Sequence, residues 1–204
     1  MKRDVVHNLP RALLFDMDGT LTEPVIDFPA LKAEIGIGQR PVLEAMAEMT
    51  PADRSVAEAI LHRHEERAAT GSVLNPGCEE LIAWVRERKL PTALVTRNSR
   101  RSAACVLERH GLSFDLLITR EDGRFKPHPE PLLLACERLG VPAEATWMIG
   151  DGYHDIEAGL AAGIRTVWIS HGRQREFEAV PWRTVHGLRE LLALLQRCGR
   201  ESVL

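Results

Sequence analysis

Ala12-Leu13-Leu14-Phe15-Asp16-Met17-Asp18-Gly19-Thr20-Leu21 sets a four-residue apolar run directly before two acids and a glycine. Such a run, bounded by a turn signal, reads as a buried strand. Side chains alternate across a strand, so acids at i and i+2 at its end point the same way. Two carboxylates that close repel unless a cation lies between them or one keeps a proton. The pair therefore points to a metal-assisted nucleophile with an acid/base neighbour.

Beyond Asp18 the pattern changes. Leu31 to Ile35, Pro41 to Met49 and Pro51 to Ala69 are rich in Ala, Glu, Arg and Leu and read as helices. Thr50 is placed as an N-cap, Pro51 at the first helical position, and Gly71 at the end of the longest helix. From Asn75-Pro76-Gly77 onward the runs Thr92–Val95, Leu116–Ile118, Thr146–Ile149 and Thr166–Ile169 alternate with amphipathic segments near Glu79–Arg88, Ser99–His110, Pro129–Leu139, Ile156–Ala162 and Leu188–Gln196. Repeated β-α units with wholly apolar strands predict a parallel sheet covered on both faces. The expected organisation is an α/β core from 1–21 and 74–204, with a helical insert at 22–73.

The chain has 204 residues, enough for one domain with an insert. A hydrophobic share of 45%, a charged share of 27% and a net charge of −3 give no reason to expect nucleic acid or a membrane surface as partner. The apolar run after Met1-Lys2-Arg3-Asp4 is too short for a signal peptide, and no stretch is long enough to span a bilayer. Cys78, Cys105, Cys136 and Cys198 are widely spaced with no Cys-x-x-Cys, so buried free thiols and a reducing cytoplasm are expected. The oligomeric state is expected to be a monomer or a weak homodimer.

In open α/β sheets, ligands bind beyond the carboxyl ends of the strands. Those ends offer Asp16 and Asp18, then Thr96-Arg97-Asn98, then Lys126-Pro127, then Gly150-Asp151 and Asp155. A hydroxyl, an ammonium and two pairs of carboxylates suit phosphoryl transfer. Mg²⁺ takes a few carboxylates, waters and substrate oxygens, and Lys126 with backbone amides would neutralise the phosphoryl charge. Asp16 would attack phosphorus, and Asp18 would protonate the leaving oxygen and later deprotonate water. Asp151 would hold the metal beside Asp16, with Asp155 binding it through water or capping the next helix.

Asp16-Met17-Asp18-Gly19-Thr20, Thr96, Lys126 and Gly150-Asp151-x-x-x-Asp155 resemble the four ordered motifs of the haloacid dehalogenase-like hydrolases. The Asn75-Pro76-Gly77 helix start and Lys126-Pro-His-Pro-Glu130 resemble the branch close to phosphoglycolate phosphatase and β-phosphoglucomutase. The resemblance implies a Rossmann-like core with a helical cap after the first strand, and Mg²⁺ held by Asp16, the Asp18 carbonyl and Asp151. It also implies that Thr96 and Lys126 bind the phosphate. The second acid, Asp18, favours phosphatases over true dehalogenases. A short cap, and Arg97 where a small or amide residue is frequent, bear on the choice of substrate.

Other features read more plainly. His62-Arg63-His64-Glu65-Glu66 lacks the second histidine of a zincin helix, so it is expected to be a solvated charged face. Gly36-Ile37-Gly38 is expected to be a loop between cap helices, from which Arg40, together with Lys32, would overhang the site. Gly19, Arg97 and Asn98 complete the candidate substrate contacts. Trp147 and Trp168 read as packing. The expected activity is a Mg²⁺-dependent phosphatase for a small phosphorylated metabolite, acting through an aspartyl-phosphate on Asp16. A β-phosphoglucomutase-like phosphomutase is the alternative, and a non-catalytic binding protein on the same fold the second.

Overall fold

The computed structural model describes residues 9–175 and 177–201. Residues 1–8, where the sequence reads no signal peptide, lie outside the described residues. The chain runs β1 (Ala12–Phe15), α1 (Phe28–Ile35), α2 (Val42–Ala47), α3 (Pro51–Gly71), α4 (Cys78–Glu87), β2 (Thr92–Val95), α5 (Arg100–His110) and β3 (Leu116–Ile118). It continues with α6 (Glu130–Leu139), β4 (Thr146–Gly150), α7 (Tyr153–Ala161), β5 (Arg165–Ile169), β6 (Arg183–Val185) and α8 (Leu188–Glu201). No helix among the described residues is long and apolar enough to cross a membrane.

The six strands form one parallel sheet in the order β3-β2-β1-β4-β5-β6. Alternation along β1 sends its residues to opposite faces. Leu13 and Phe15 pack with Leu94, Trp147 and Ile149 beneath α4, α5 and α8. Leu14 packs with Ala93, Val95 and Met148 beneath α6 and α7. Both faces are covered, which is why every residue of β1, β2 and β4 is buried. Trp147 and Trp168 are core residues, as their strand positions predict, and Cys78, Cys105 and Cys136 are free thiols.

The sequence misses β6, whose three residues Arg183-Thr184-Val185 are too few and too polar to read as a strand. They form the sheet edge by pairing with Val167 to Ile169. Gly71 is the last residue of α3, where the sequence places the helix end, and Ser72 follows as the cap, its hydroxyl donating back to the Ala69 carbonyl at 2.8 Å.

Helices α1 to α3 lie between β1 and α4 and enclose an apolar cluster of their own, with Leu31, Val42, Met46 and Leu61 at its centre. Thr50 caps α3 by accepting from the Asp53 amide at 3.2 Å. The two connections to the sheet run side by side: Thr22 bridges antiparallel to Leu74, and the Glu23 amide donates to the Val73 carbonyl at 2.9 Å. Buried Asn75 clamps this junction, its side-chain amide donating to the Thr20 and Thr22 carbonyls at 2.8 and 2.9 Å.

Candidate active site

The strand order reverses direction between β1 and β4, and in open α/β sheets ligands bind beyond the carboxyl ends of the strands at such a switch point. Their register pairs Phe15 with Ile149, and the Asp16 amide donates to the Ile149 carbonyl at 2.9 Å. Asp16 and Asp151 therefore leave adjacent strand ends side by side. Carboxylate oxygens of Asp16, Asp151 and Asp155 all lie within 4.8 Å of one another.

Two glycines make room for this crowding. Gly19 has φ +77, and a Cβ there would fall 2.4 Å from Asp151 Oδ2. A Cβ on Gly150 would fall 2.2 Å from Asp155 Cγ. Any side chain at either position would displace an acid. In the same turn, Thr20 Oγ1 is buried with no hydrogen-bond partner among the described residues.

Lys126 stands at the centre. Its side chain is 1% exposed, and Nζ lies 2.7 Å from Asp16 Oδ1 and 2.6 Å from Asp155 Oδ1. Burial by itself would pull this ammonium down, but the Asp155 and Asp16 carboxylates outweigh it and hold it above its ordinary range. Burial raises Asp16 well above the usual carboxylate range against the pull of Lys126. Burial likewise raises Asp151 against its hydrogen bond from Arg173. Asp155 also caps α7, accepting from the Gly152 amide at 3.2 Å, so it serves helix and cluster together.

Asp18 faces a different partner. Its Oδ2 accepts from Asn98 Nδ2 at 2.6 Å, and burial pushes its carboxyl up to about 6 while that bond opposes the shift. A carboxyl titrating near 6 can give and take a proton at neutral pH. Thr96 is buried at the end of β2, and its hydroxyl accepts from the Asn98 amide at 3.1 Å.

Arg97 reaches over the Phe125 ring at 4.9 Å, donates to the Lys126 carbonyl, and pairs through Nη2 with both oxygens of Glu44, at 3.0 and 2.9 Å. Glu44 belongs to α2, so the insert meets the strand ends here. Arg40 and Lys32 are engaged within the insert: Arg40 pairs with Glu48, and Lys32 Nζ donates to the Gln39 carbonyl at 3.2 Å.

Several residues escaped the sequence reading. Arg173 Nη2 lies 2.9 Å from Asp151 Oδ2, and His171 Nε2 donates to the Gly19 carbonyl at 2.6 Å. Both follow β5, whose end lacks any motif. His154, beside Asp155, is pushed down to about 4 by burial and by Arg97, and stays neutral near pH 7. The expectation that 62–66 forms a solvated face is corrected at Glu65. His62, Arg63 and Glu66 are exposed, whereas Glu65 is 2% exposed. A signal was present, because Glu65 falls on the buried stripe Ala57, Leu61, Ala68 at helical spacing.

A cavity of about 360 Å³ opens at the opposite end of β2 and β3, between Arg86, Lys89, Phe114 and Asp115. It includes none of the strand-end carboxylates described above.

The described acids form an all-oxygen donor set, the kind a hard divalent cation takes, and they fit one such ion. The chain belongs to the haloacid dehalogenase-like hydrolases, an enzyme family whose model matches residues 29–163. That span contains Thr96, Lys126, Asp151 and Asp155 but begins after Asp16 and Asp18. The chain is 32% identical over 186 residues to an N-acetylmuramic acid 6-phosphate phosphatase of Pseudomonas aeruginosa, covering 79% of this chain and 82% of the relative. A phosphoglycolate phosphatase of Cupriavidus necator is 33% identical over 189 residues, covering 79% and 81%. Among solved structures, a hydrolase from Pseudomonas syringae shares the fold, with a TM-score of 0.79, 22% identity and coverage of 91% and 98%.

Proposed function

We propose that the chain is a phosphatase that takes the phosphoryl group of a small phosphorylated metabolite onto Asp16 and passes it to water. The observation that carries this reading is the Lys126 ammonium between Asp16 and Asp155 at the switch point of the sheet. Relatives named as phosphatases of phosphorylated metabolites support it.

In the first step an oxygen of Asp16 bonds to phosphorus as the ester oxygen leaves, and Asp18 gives that oxygen its proton. In the second, Asp18 takes a proton from water as the water oxygen attacks the same phosphorus. The bond to Asp16 breaks, and inorganic phosphate is released. Lys126 offsets charge on the phosphoryl oxygens, and Thr96 with the amides after β2 binds them. Asn98 aims the Asp18 carboxyl. Asp16, the Asp18 carbonyl and Asp151 would hold Mg²⁺, with Asp155 in support. Bound there, Mg²⁺ supplies further neutralisation of phosphoryl charge. The insert, taken as 22–73, acts as a cap that excludes bulk water during the first step, and Gly19, Arg97 and Asn98 line the substrate's path.

The test is a panel of phosphorylated hydroxy acids and sugar phosphates incubated with the purified protein and Mg²⁺. Inorganic phosphate should be released from at least one member and cease with EDTA. No release from any member, or release unaffected by EDTA, would overturn the reading. Isomerised sugar phosphate without free phosphate would make the enzyme a phosphomutase.

A further inference from the structure

Glu65 is a carboxylate of the insert that the reaction as written does not use, yet it is among the most deeply buried charged side chains. Among the described residues, every hydrogen bond to its carboxylate comes from the sheet side. Arg120, in the turn after β3, pairs with Oε1 through Nη1 and donates to Oε2 from Nη2 at 3.2 Å. Ser99, the N-cap of α5, donates to Oε2 from its hydroxyl at 2.8 Å and from its amide at 3.4 Å.

The same partners hold the loop after β2. Arg120 Nη1 also donates to the Arg97 carbonyl at 3.2 Å, and the Arg120 amide donates to the Asn98 carbonyl at 3.3 Å. Asn98 lies between Arg97 and Ser99, and its side chain holds Asp18 at 2.6 Å. A continuous path therefore runs from α3 through Glu65, Arg120 and Ser99 into the backbone that aims Asn98 at the proton-transferring carboxyl.

Gluing α3 to the sheet would not call for this arrangement. A buried ion pair is a poor stabiliser, and apolar side chains of equal volume serve as well or better. What the charge adds is direction, since guanidinium and carboxylate fix each other in one geometry. We propose that Glu65 is a positioning residue for Asp18, coupling the seating of the cap to the aim of the acid/base through Arg120, Ser99 and Asn98. This rests on the phosphatase reading and adds a residue to it.

The test compares wild type, Glu65→Gln, Asn98→Ala and the double variant, as full chains with Mg²⁺ and p-nitrophenyl phosphate. Glu65→Gln keeps the shape but leaves Arg120 without its counter-charge. It should lower kcat about tenfold or more with KM nearly unchanged. In the Asn98→Ala background the same change should have little further effect, because the path is already cut. Arg120→Lys keeps the charge but loses the fork by which Nη1 reaches the Arg97 carbonyl while Nη2 holds Glu65 Oε2, and should lower kcat in the same sense. It reads the coupling even if Glu65→Gln folds poorly. An active wild type whose folded Glu65→Gln variant keeps its kcat would overturn the proposal alone, as would losses that simply multiply in the double variant. A wild type that releases no phosphate from any phosphomonoester would overturn the phosphatase reading and the role of Glu65 with it.

Discussion

Lys126 Nζ sits 2.7 Å from Asp16 Oδ1, an ion pair closed across 110 residues of chain. The same ammonium holds Asp155. Replacing it by an apolar side chain leaves two buried carboxylates with no counter-charge. Lys126→Met should cost about 3–5 kcal/mol of stability near neutral pH in metal-free protein. The cost should shrink toward pH 4, where protonation neutralises the unpaired buried carboxylates. Urea melts of both proteins across that range would show it, and a cost that does not vary with pH would refute the pairing.

Asp16→Asn removes the oxygen proposed to attack, and its charge, but almost no volume. Turnover should fall by on the order of 10⁴-fold or more, while circular dichroism and the melting temperature stay near those of wild type. Retained turnover would show that another group attacks.

The Asp18 carboxyl, at about 6 against 3.8 in the unfolded chain, makes a signed prediction. Below 3.8 both states hold the proton and the advantage of the folded state is complete. Between 3.8 and about 6 the unfolded chain releases a proton that the folded one keeps, so stability falls as pH rises through that window. The fall approaches the order of 3 kcal/mol, at about 1.4 kcal/mol per pH unit. Asp18→Asn has no such proton. Metal-free wild type should therefore lose stability relative to this variant between pH 4 and 6.5, and parallel melting curves would contradict the buried carboxyl.

Arg173 orients Asp151 through a 2.9 Å contact to Oδ2. Groups that orient a metal ligand from behind typically contribute 10–100-fold in affinity. Arg173→Ala should weaken Mg²⁺ binding by about that factor in titration calorimetry, with the metal-free fold unchanged. Tighter binding would mean that the guanidinium chiefly repels the ion.

The sequence made the strand-end chemistry legible because each part is local. Asp16 and Asp18 share one strand end, and Gly150, Asp151 and Asp155 share another. Apolar runs such as Thr92 to Val95 announced strands by themselves. Arg183 to Val185 did not, since a three-residue edge strand with a threonine and an arginine exists only by pairing with β5. Glu65 was legible only in part. Its place on the stripe of Ala57, Leu61 and Ala68 pointed inward, while its charge and its neighbours pointed outward.

By itself, then, the sequence determined the α/β alternation, the helical insert and the residue types at the strand ends, because periodicity and turn chemistry act over a few residues. Only the tertiary structure decided which charges meet. Lys126 with Asp16, Arg97 with Glu44 and Arg120 with Glu65 are each separated by tens of residues or more. A charge carries no mark of its partner until the sheet order and the seating of the insert bring the two together.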